Sequence, residues 1–441
     1  MIATISPQRR REIIDALRRG TVPRNGLDAF SVGLDIYDAV LDAELASVKA
    51  GGSVFKAARG EYGCGKTFFA RRLAESAKRM GFAASEIQIS ETETPLHRLE
   101  TVYRRLNEGL STADTPGNAL RNILDAWFYT LEEDVLSDGS VDPADETALL
   151  ARTDALLEQR LAGVTQVAPA FSAALRGYRR AQAANDPAAA EGIAAWLSGQ
   201  PNVSAGVKRA AGIKGDIDHF GAMSFLQGLL TILRDCGNAG LLVVLDEVET
   251  VQRMRSDVRD KSLNALRQLI DEVDSGKFPG LYLLITGTPA FFDGPQGVRR
   301  LEPLAQRLHV DFQTEARFDN PRAVQIRLAP FDLDRLRRVG QKVRDIFAAD
   351  ALAPDRISTL ADDNYIADLA GAVAGKLGGK VGIAPRVFLK KLVADVLDRI
   401  DQYPDFDPRT HYALTVSDAE LTPVERQAAA ASNVDDIELT I

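Results

Sequence analysis

The sequence predicts an α/β protein: a parallel sheet bearing a phosphate-binding loop, a large helical insertion, and a C-terminal helical lid. Three observations predict it. Gly60-Glu61-Tyr62-Gly63-Cys64-Gly65-Lys66-Thr67 fits G-x-x-x-x-G-K-[ST] without substitution, the pattern of a loop whose backbone N–H groups cradle phosphates. It stands between a strand-like run at 53–58 and a helix-like run at 68–80 closed by Gly81, the context that gives the pattern a mechanism. Beyond it, continuous apolar runs alternate with helical periodicities, and that alternation specifies a parallel sheet.

In order along the chain, Ser6 and Pro7 read as an N-cap and first helical position, with Ile13, Ile14 and Leu17 as the apolar face and Gly20 as the stop. A linker through Val22 and Pro23 leads to a second amphipathic helix carrying Leu41 and Leu45. After the glycine loop, 83–89 reads as a strand, and Thr94-Pro95 as the opening of a helix with Leu96, Leu99, Tyr103 and Leu106. From about 112 to 215 the chain is alanine-rich, broken by prolines and free of strand-like runs, a helical insertion in which Arg176, Arg179 and Arg180 read as a solvated basic face. A helix at 223–236 precedes the apolar run Leu241-Leu242-Val243-Val244-Leu245, which ends in Asp246-Glu247. Such a run suits a strand covered on both faces. Further strands are expected at 281–286 and 323–328, and helices at 333–347, 366–377 and 385–400. The expected division is an N-terminal helical segment (1–50), an α/β core (51–330), the lid (331–402) and an acidic tail (403–441), its stretch 427–441 poorly ordered.

Composition bounds the partners. Charged residues at 26% and hydrophobic ones at 45% of 441 are ordinary for a globular protein. A net charge of −9 argues against a surface built for non-specific duplex binding, although a local basic pore leaves DNA possible. Two cysteines and four scattered histidines assemble neither a metal cage nor a disulfide framework. No apolar run approaches membrane-spanning length and the first residues do not read as a signal peptide, so the expectation is a cytoplasmic protein with no membrane partner.

The residue types in the loop set the chemistry. Backbone groups of residues from Gly60 to Phe68 would surround the phosphates of ATP, Lys66 would reach the β- and γ-phosphates, and the Thr67 hydroxyl would hold Mg²⁺. Asp246 would hold the same ion, and Glu247 would polarise the attacking water. Glu249, two residues on and past the expected strand end, competes less well for that role. Thr286, at the end of the next apolar run, offers a hydroxyl to the water or γ-phosphate; Thr288 offers the same, and both fit a plain turn equally well. Arg307 reads as a finger reaching a neighbouring subunit's nucleotide, with Arg299 and Arg300 as rivals. Arg386 opens a lid helix, and a cation at a helix N-terminus asks for an anionic partner. Cys64 reads as a small filler whose thiol pKa the helix N-terminus would lower.

The order of glycine loop, Asp-Glu strand, polar strand end, later arginine and lid Pro-Arg resembles the AAA+ superfamily. The closer resemblance is to the BrxD family, ATP-binding proteins of BREX bacteriophage-defence systems. It rests on the run 9–20, on Arg59-Gly60-Glu61-Tyr62-Gly63, Glu91-Thr92-Glu93-Thr94-Pro95-Leu96, Leu245-Asp246-Glu247-Val248-Glu249, Thr286-Gly287-Thr288-Pro289 and Ala384-Pro385-Arg386. The resemblance implies an AAA+ ATPase that hydrolyses ATP with Mg²⁺, assembles as a homo-oligomer, and works beside helicase-like and methyltransferase components. A nucleotide-gated scaffold with little hydrolysis and a DNA-translocating ring are the alternatives.

Overall fold

The computed structural model describes residues 5–139, 141–376, 384–416 and 426. Five parallel strands form one sheet in the order β2-β3-β4-β1-β5: β1 Val54–Arg59, β2 Ala83–Gln88, β3 Leu241–Asp246, β4 Leu281–Gly287 and β5 Gln325–Arg327. The mixed α/β class and parallel sheet match the sequence expectation. β4 is the central strand, seated between the strand that feeds the glycine loop and the strand that ends in Asp246.

Strand residues alternate between two apolar layers, as a period of two requires. Val243, Leu245, Leu283 and Ile285 join one cluster, and Leu242, Val244, Tyr282 and Leu284 the other. The second layer is covered by α2 (Asp35–Lys49) and α3 (Lys66–Arg79). Here Lys56, 1% exposed, is neutralised by Glu44 at 2.5 Å, which also accepts from the Tyr282 hydroxyl. A buried ammonium persists only when so paired, and the triad ties β1, β4 and α2 together.

The first layer is covered by α4 (Leu99–Gly109), by the helix α10 (His219–Asp235) and by α11 (Ser256–Asp274). The helix expected to open at Thr94-Pro95 starts one turn later. The Thr94 carbonyl accepts from Ser90 N and the Thr94 N–H donates to Ser90 Oγ, so that backbone is spent on a turn. Between α4 and α10 lie α5 (Leu120–Ser137), α6 (Glu146–Val167), α7 (Pro169–Ala183), α8 (Pro187–Leu197) and α9 (Ala205–Ala211), with no strand among the described residues there. Their aromatic core of Trp127, Phe128, Phe171, Tyr178 and Trp196 is continuous with the sheet's first layer. Of the expected solvated basic face, Arg176 pairs with Glu158 of α6 at the surface and Arg180 is exposed, while Arg179 is largely covered and pairs with Glu132 of α5.

After β4 come α12 (Pro289–Asp293) and α13 (Glu302–Leu308), and after β5 the lid: α14 (Leu333–Ala348), α15 (Pro354–Leu360), α16 (Asp363–Lys376) and α17 (Ala384–Lys390). A π-helical turn, Lys391–Leu397, joins α17 to α18 (Asp398–Gln402). α1 (Pro7–Arg18), capped by Ser6 as expected, buries Ile13, Ile14 and Leu17 in the lid's own apolar cluster. The stretch 427–441, expected to be poorly ordered, lies outside the described residues.

Candidate functional site

The site lies at the carboxyl ends of the central strands, where α/β sheets leave a crevice. β1 delivers the chain to Gly60, and Gly63 and Gly65 then take positive φ (78° and 96°), which lets the loop curl before α3 begins at Lys66. A cleft of about 840 Å³ opens above it. Its wall includes Tyr62–Phe68, Asp246, Glu247 and Glu249 from the core, and Pro385, Arg386 and Leu389 from the lid. Val22 and Pro23 of the N-terminal linker line it too.

Sheet register assembles the acids. Gln88 pairs with Asp246 across β2 and β3, and Leu245 with Ile285 across β3 and β4, so Asp246 and Thr286 end neighbouring strands. The Asp246 carboxylate, 4% exposed, receives three donors: Thr67 Oγ1 at 2.8 Å, the Thr286 hydroxyl, and Glu247 N at 3.1 Å. Thr286 thereby spends its proton on Asp246, and it is not among the cleft-lining residues.

Glu247 has φ 59° and ψ 42°, a left-handed conformation that costs a non-glycine residue about 1–2 kcal/mol. That turn directs its N–H onto Asp246 and Thr286 Oγ1. Its carboxylate accepts from Gln88 Nε2 at 2.8 Å. The same turn starts the 3₁₀ segment Val248–Arg253 and carries Glu249 back to the glycine loop.

Lys66 Nζ donates to Gly60 O at 2.9 Å and to Glu61 O at 3.4 Å, lies 4.9 Å from the Tyr62 ring centroid, and faces Glu249 at 3.7 Å. Burial pushes the Glu249 carboxyl above its ordinary pKa, with Lys66 opposing the shift. Phe68 lines the cleft edge-on to Phe30, with centroids 5.2 Å apart, and meets the lid cluster. Cys64 corrects a sequence expectation. Burial pushes its thiol up to about 11, overriding the opposite pull of Lys66 and of backbone N–H groups. It fills the space beside Gly60.

A family model described as BREX system ATP-binding protein BrxC/D matches residues 5–416. The chain belongs to the BrxC/BrxD family. No curated protein and no solved structure matches it.

In this BrxC/BrxD-family chain the cleft brings together Lys66, Thr67, Asp246, Glu247 and Arg386. Arg307 stands apart, on α13, paired with Asp271 at 2.8 Å and Asp274 at 3.1 Å on α11. Its rival Arg300 pairs with Asp260. Gln88, which meets Glu247 beside the cleft, and Arg335, which lines it, escaped the sequence reading, and Glu249 was weighed there only as a weaker competitor of Glu247. Gln88 was legible as a polar residue closing a strand, Arg335 as a basic residue in the first turn of a lid helix, and Glu249 only through a backbone turn that nothing in the sequence announces. Arg335 donates to Pro330 O at 3.2 Å and lies against Gly33, where a Cβ would stand 3.3 Å from its Nε.

Proposed function

We propose that this BREX ATP-binding protein is an ATP hydrolase of AAA+ type, and that turnover drives or switches the assembly of defence components. One observation carries the reading: Thr67, Asp246, Thr286 and Glu247 form a connected hydrogen-bond network at the mouth of the glycine loop. Lys66 and Arg386 face the same cleft from core and lid.

Thr67 and Asp246 would hold Mg²⁺. Their hydroxyl–carboxylate pair suits an ion that keeps phosphate and water ligands, and no cluster of three or more His, Cys, Asp or Glu among the described residues forms a protein-only cage. The ion would supply charge neutralisation on the phosphate oxygens. Lys66 would take β- and γ-phosphate oxygens, and Arg386 would meet the γ-phosphate from the lid. Glu247 would orient the attacking water and accept its proton, on leaving Gln88. Thr286 would hold Asp246 in place. Arg307 would act on a neighbouring subunit of a homo-oligomer after giving up its own acids. Helicase-like and methyltransferase proteins are the expected partners, in the cytoplasm.

A nucleotide-gated scaffold with slow turnover is favoured by two contacts: Gln88 on Glu247 and the acids on Arg307. Glu247→Gln separates the readings. The hydrolase predicts retained ATP binding with turnover reduced at least ~10²-fold, the scale of a positioned base, and wild-type turnover that rises with protein concentration. Unchanged turnover in the variant removes Glu247 from the role, and a negligible, concentration-independent wild-type rate leaves the scaffold.

A further inference from the structure

Both oxygens of the Glu249 carboxylate are buried without a hydrogen-bond partner, on a residue 5% exposed. The facing charge is Lys66, itself 8% exposed, with Nζ 3.7 Å from Oε1. That separation is too long for a hydrogen bond but short enough for strong Coulombic attraction where water is scarce. Lys66 meanwhile gives two donors to the carbonyls of Gly60 and Glu61. The lysine that would serve a phosphate chain therefore already has an anion beside it, and among the described residues Lys66 is the cation paired with that anion.

We propose that Glu249 is a built-in counter-ion for Lys66, which occupies the lysine in the empty cleft and holds down the affinity for a polyphosphate. Phosphate oxygens entering beside Lys66 compete with a fixed carboxylate for one cation, and they are repelled by it at the same short range. Glu249 thus acts as a positioning residue through Lys66 and sets how much binding free energy the loop yields. The backbone explains its address: the left-handed turn at Glu247 sends residue 249 back under the loop instead of away from it. This rests on ATP using the glycine loop.

The test uses the full chain in two measurements. In titration calorimetry with Mg-ATP and with ADP at fixed salt, Glu249→Gln keeps the shape, removes the charge, and tightens both ligands at least about tenfold. A merely structural glutamate would weaken or leave unchanged both affinities, and either result overturns the proposal. In ligand-free thermal melts, Lys66→Ala strands the carboxylate and lowers the melting temperature, and adding Glu249→Gln restores it. A double variant no more stable than Lys66→Ala overturns the pairing. Because the melts need no nucleotide, a wild-type protein that fails to bind ATP would sink the nucleotide-site reading and still leave the pair tested.

Discussion

Thr286 lies at the end of β4 and Thr288 just beyond it, both buried, yet the structure gives them different work. The Thr286 hydroxyl, 0% exposed, donates to Asp246 and accepts from Glu247 N at 3.2 Å. The Thr288 hydroxyl caps no N–H of the helix it precedes; its carbonyl accepts from Phe291 N and Phe292 N, bonds that a side-chain change leaves in place. Thr286→Val keeps the β-branched shape and the strand preference and opens no cavity, so the change is confined to the hydrogen bonds. Asp246 keeps two of its three donors, Thr67 and Glu247 N, and Glu247 N keeps Asp246 Oδ1, so no N–H is orphaned. The losses are the charge-assisted bond to a buried carboxylate, about 1.5–3 kcal/mol, and the Thr286 share of the Glu247 N–H bond, which Asp246 retains.

Taking about 2 kcal/mol, the unfolding equilibrium of the cooperative unit containing β3 and β4 shifts roughly thirtyfold. Native-state hydrogen exchange of β3 amides reads that unit directly and avoids assuming two-state unfolding of a long chain. Thr288→Val is the matched control, expected to lose less than Thr286→Val because its hydroxyl makes no cap bond. Equal losses in the two variants, or a Thr286→Val protein indistinguishable from wild type, would refute the network argument.

Two further outcomes follow from the loop itself. The Cys64 thiol, raised from the ordinary 9.0 to about 11, has about a hundredfold less thiolate at neutral pH than a free cysteine. Alkylation followed by mass spectrometry should be slow at pH 7 and accelerate as pH rises towards 11. The sign carries over to stability: the unfolded thiol ionises first, so this contribution is intact below pH 9 and lost between 9 and 11. Gly60→Ala would press a Cβ into Cys64 Sγ, with Leu328 O only 3.2 Å away. An overpacking cost of about 1–3 kcal/mol is expected, partly relieved by adding Cys64→Ala; a fully tolerated single variant would show that the loop has slack.

The glycine loop was legible because spacing alone specifies it, and the α/β class because apolar runs of the right length alternate with helices. Strand order was not legible. β1 and β2 follow one another on the chain yet lie apart, with β3 and β4 between them, and only the direct pairing of β3 with β4 explains why Thr286 meets Asp246. Glu249 was discounted because a straight continuation past residue 246 would carry it away, and a glutamate at φ 59° has no sequence signature. For Cys64 the relevant forces were identifiable but their ranking was not, since burial depends on the packing of Leu328 and Gly60. α1 showed its apolar face plainly; that the face belongs to the lid depends on residues more than three hundred positions away.

That last contact shapes how the cleft works. α1 is bound to the lid by Ile13, Ile14 and Leu17 and by the pairs Arg10–Asp350 and Arg18–Asp398. A few residues later the chain is bound to the glycine-loop helix. Glu75 accepts from the N–H groups of Gly26 and Leu27, Arg71 donates to Val22 O at 2.7 Å, and Arg72 pairs with Asp28 and Asp38. Residues 20–23 and 32–34 line the cleft within and just beyond these anchors. Lid and core are therefore joined twice, directly through 328–333 and indirectly through this strap. A ligand that filled the cleft would meet the strap as well as the loop, since both line it. A ligand could bias a lid movement only by contacting two lid positions unequally, and the strap, bound to the lid through α1 and to the glycine-loop helix through Glu75, Arg71 and Arg72, is the segment placed to meet it.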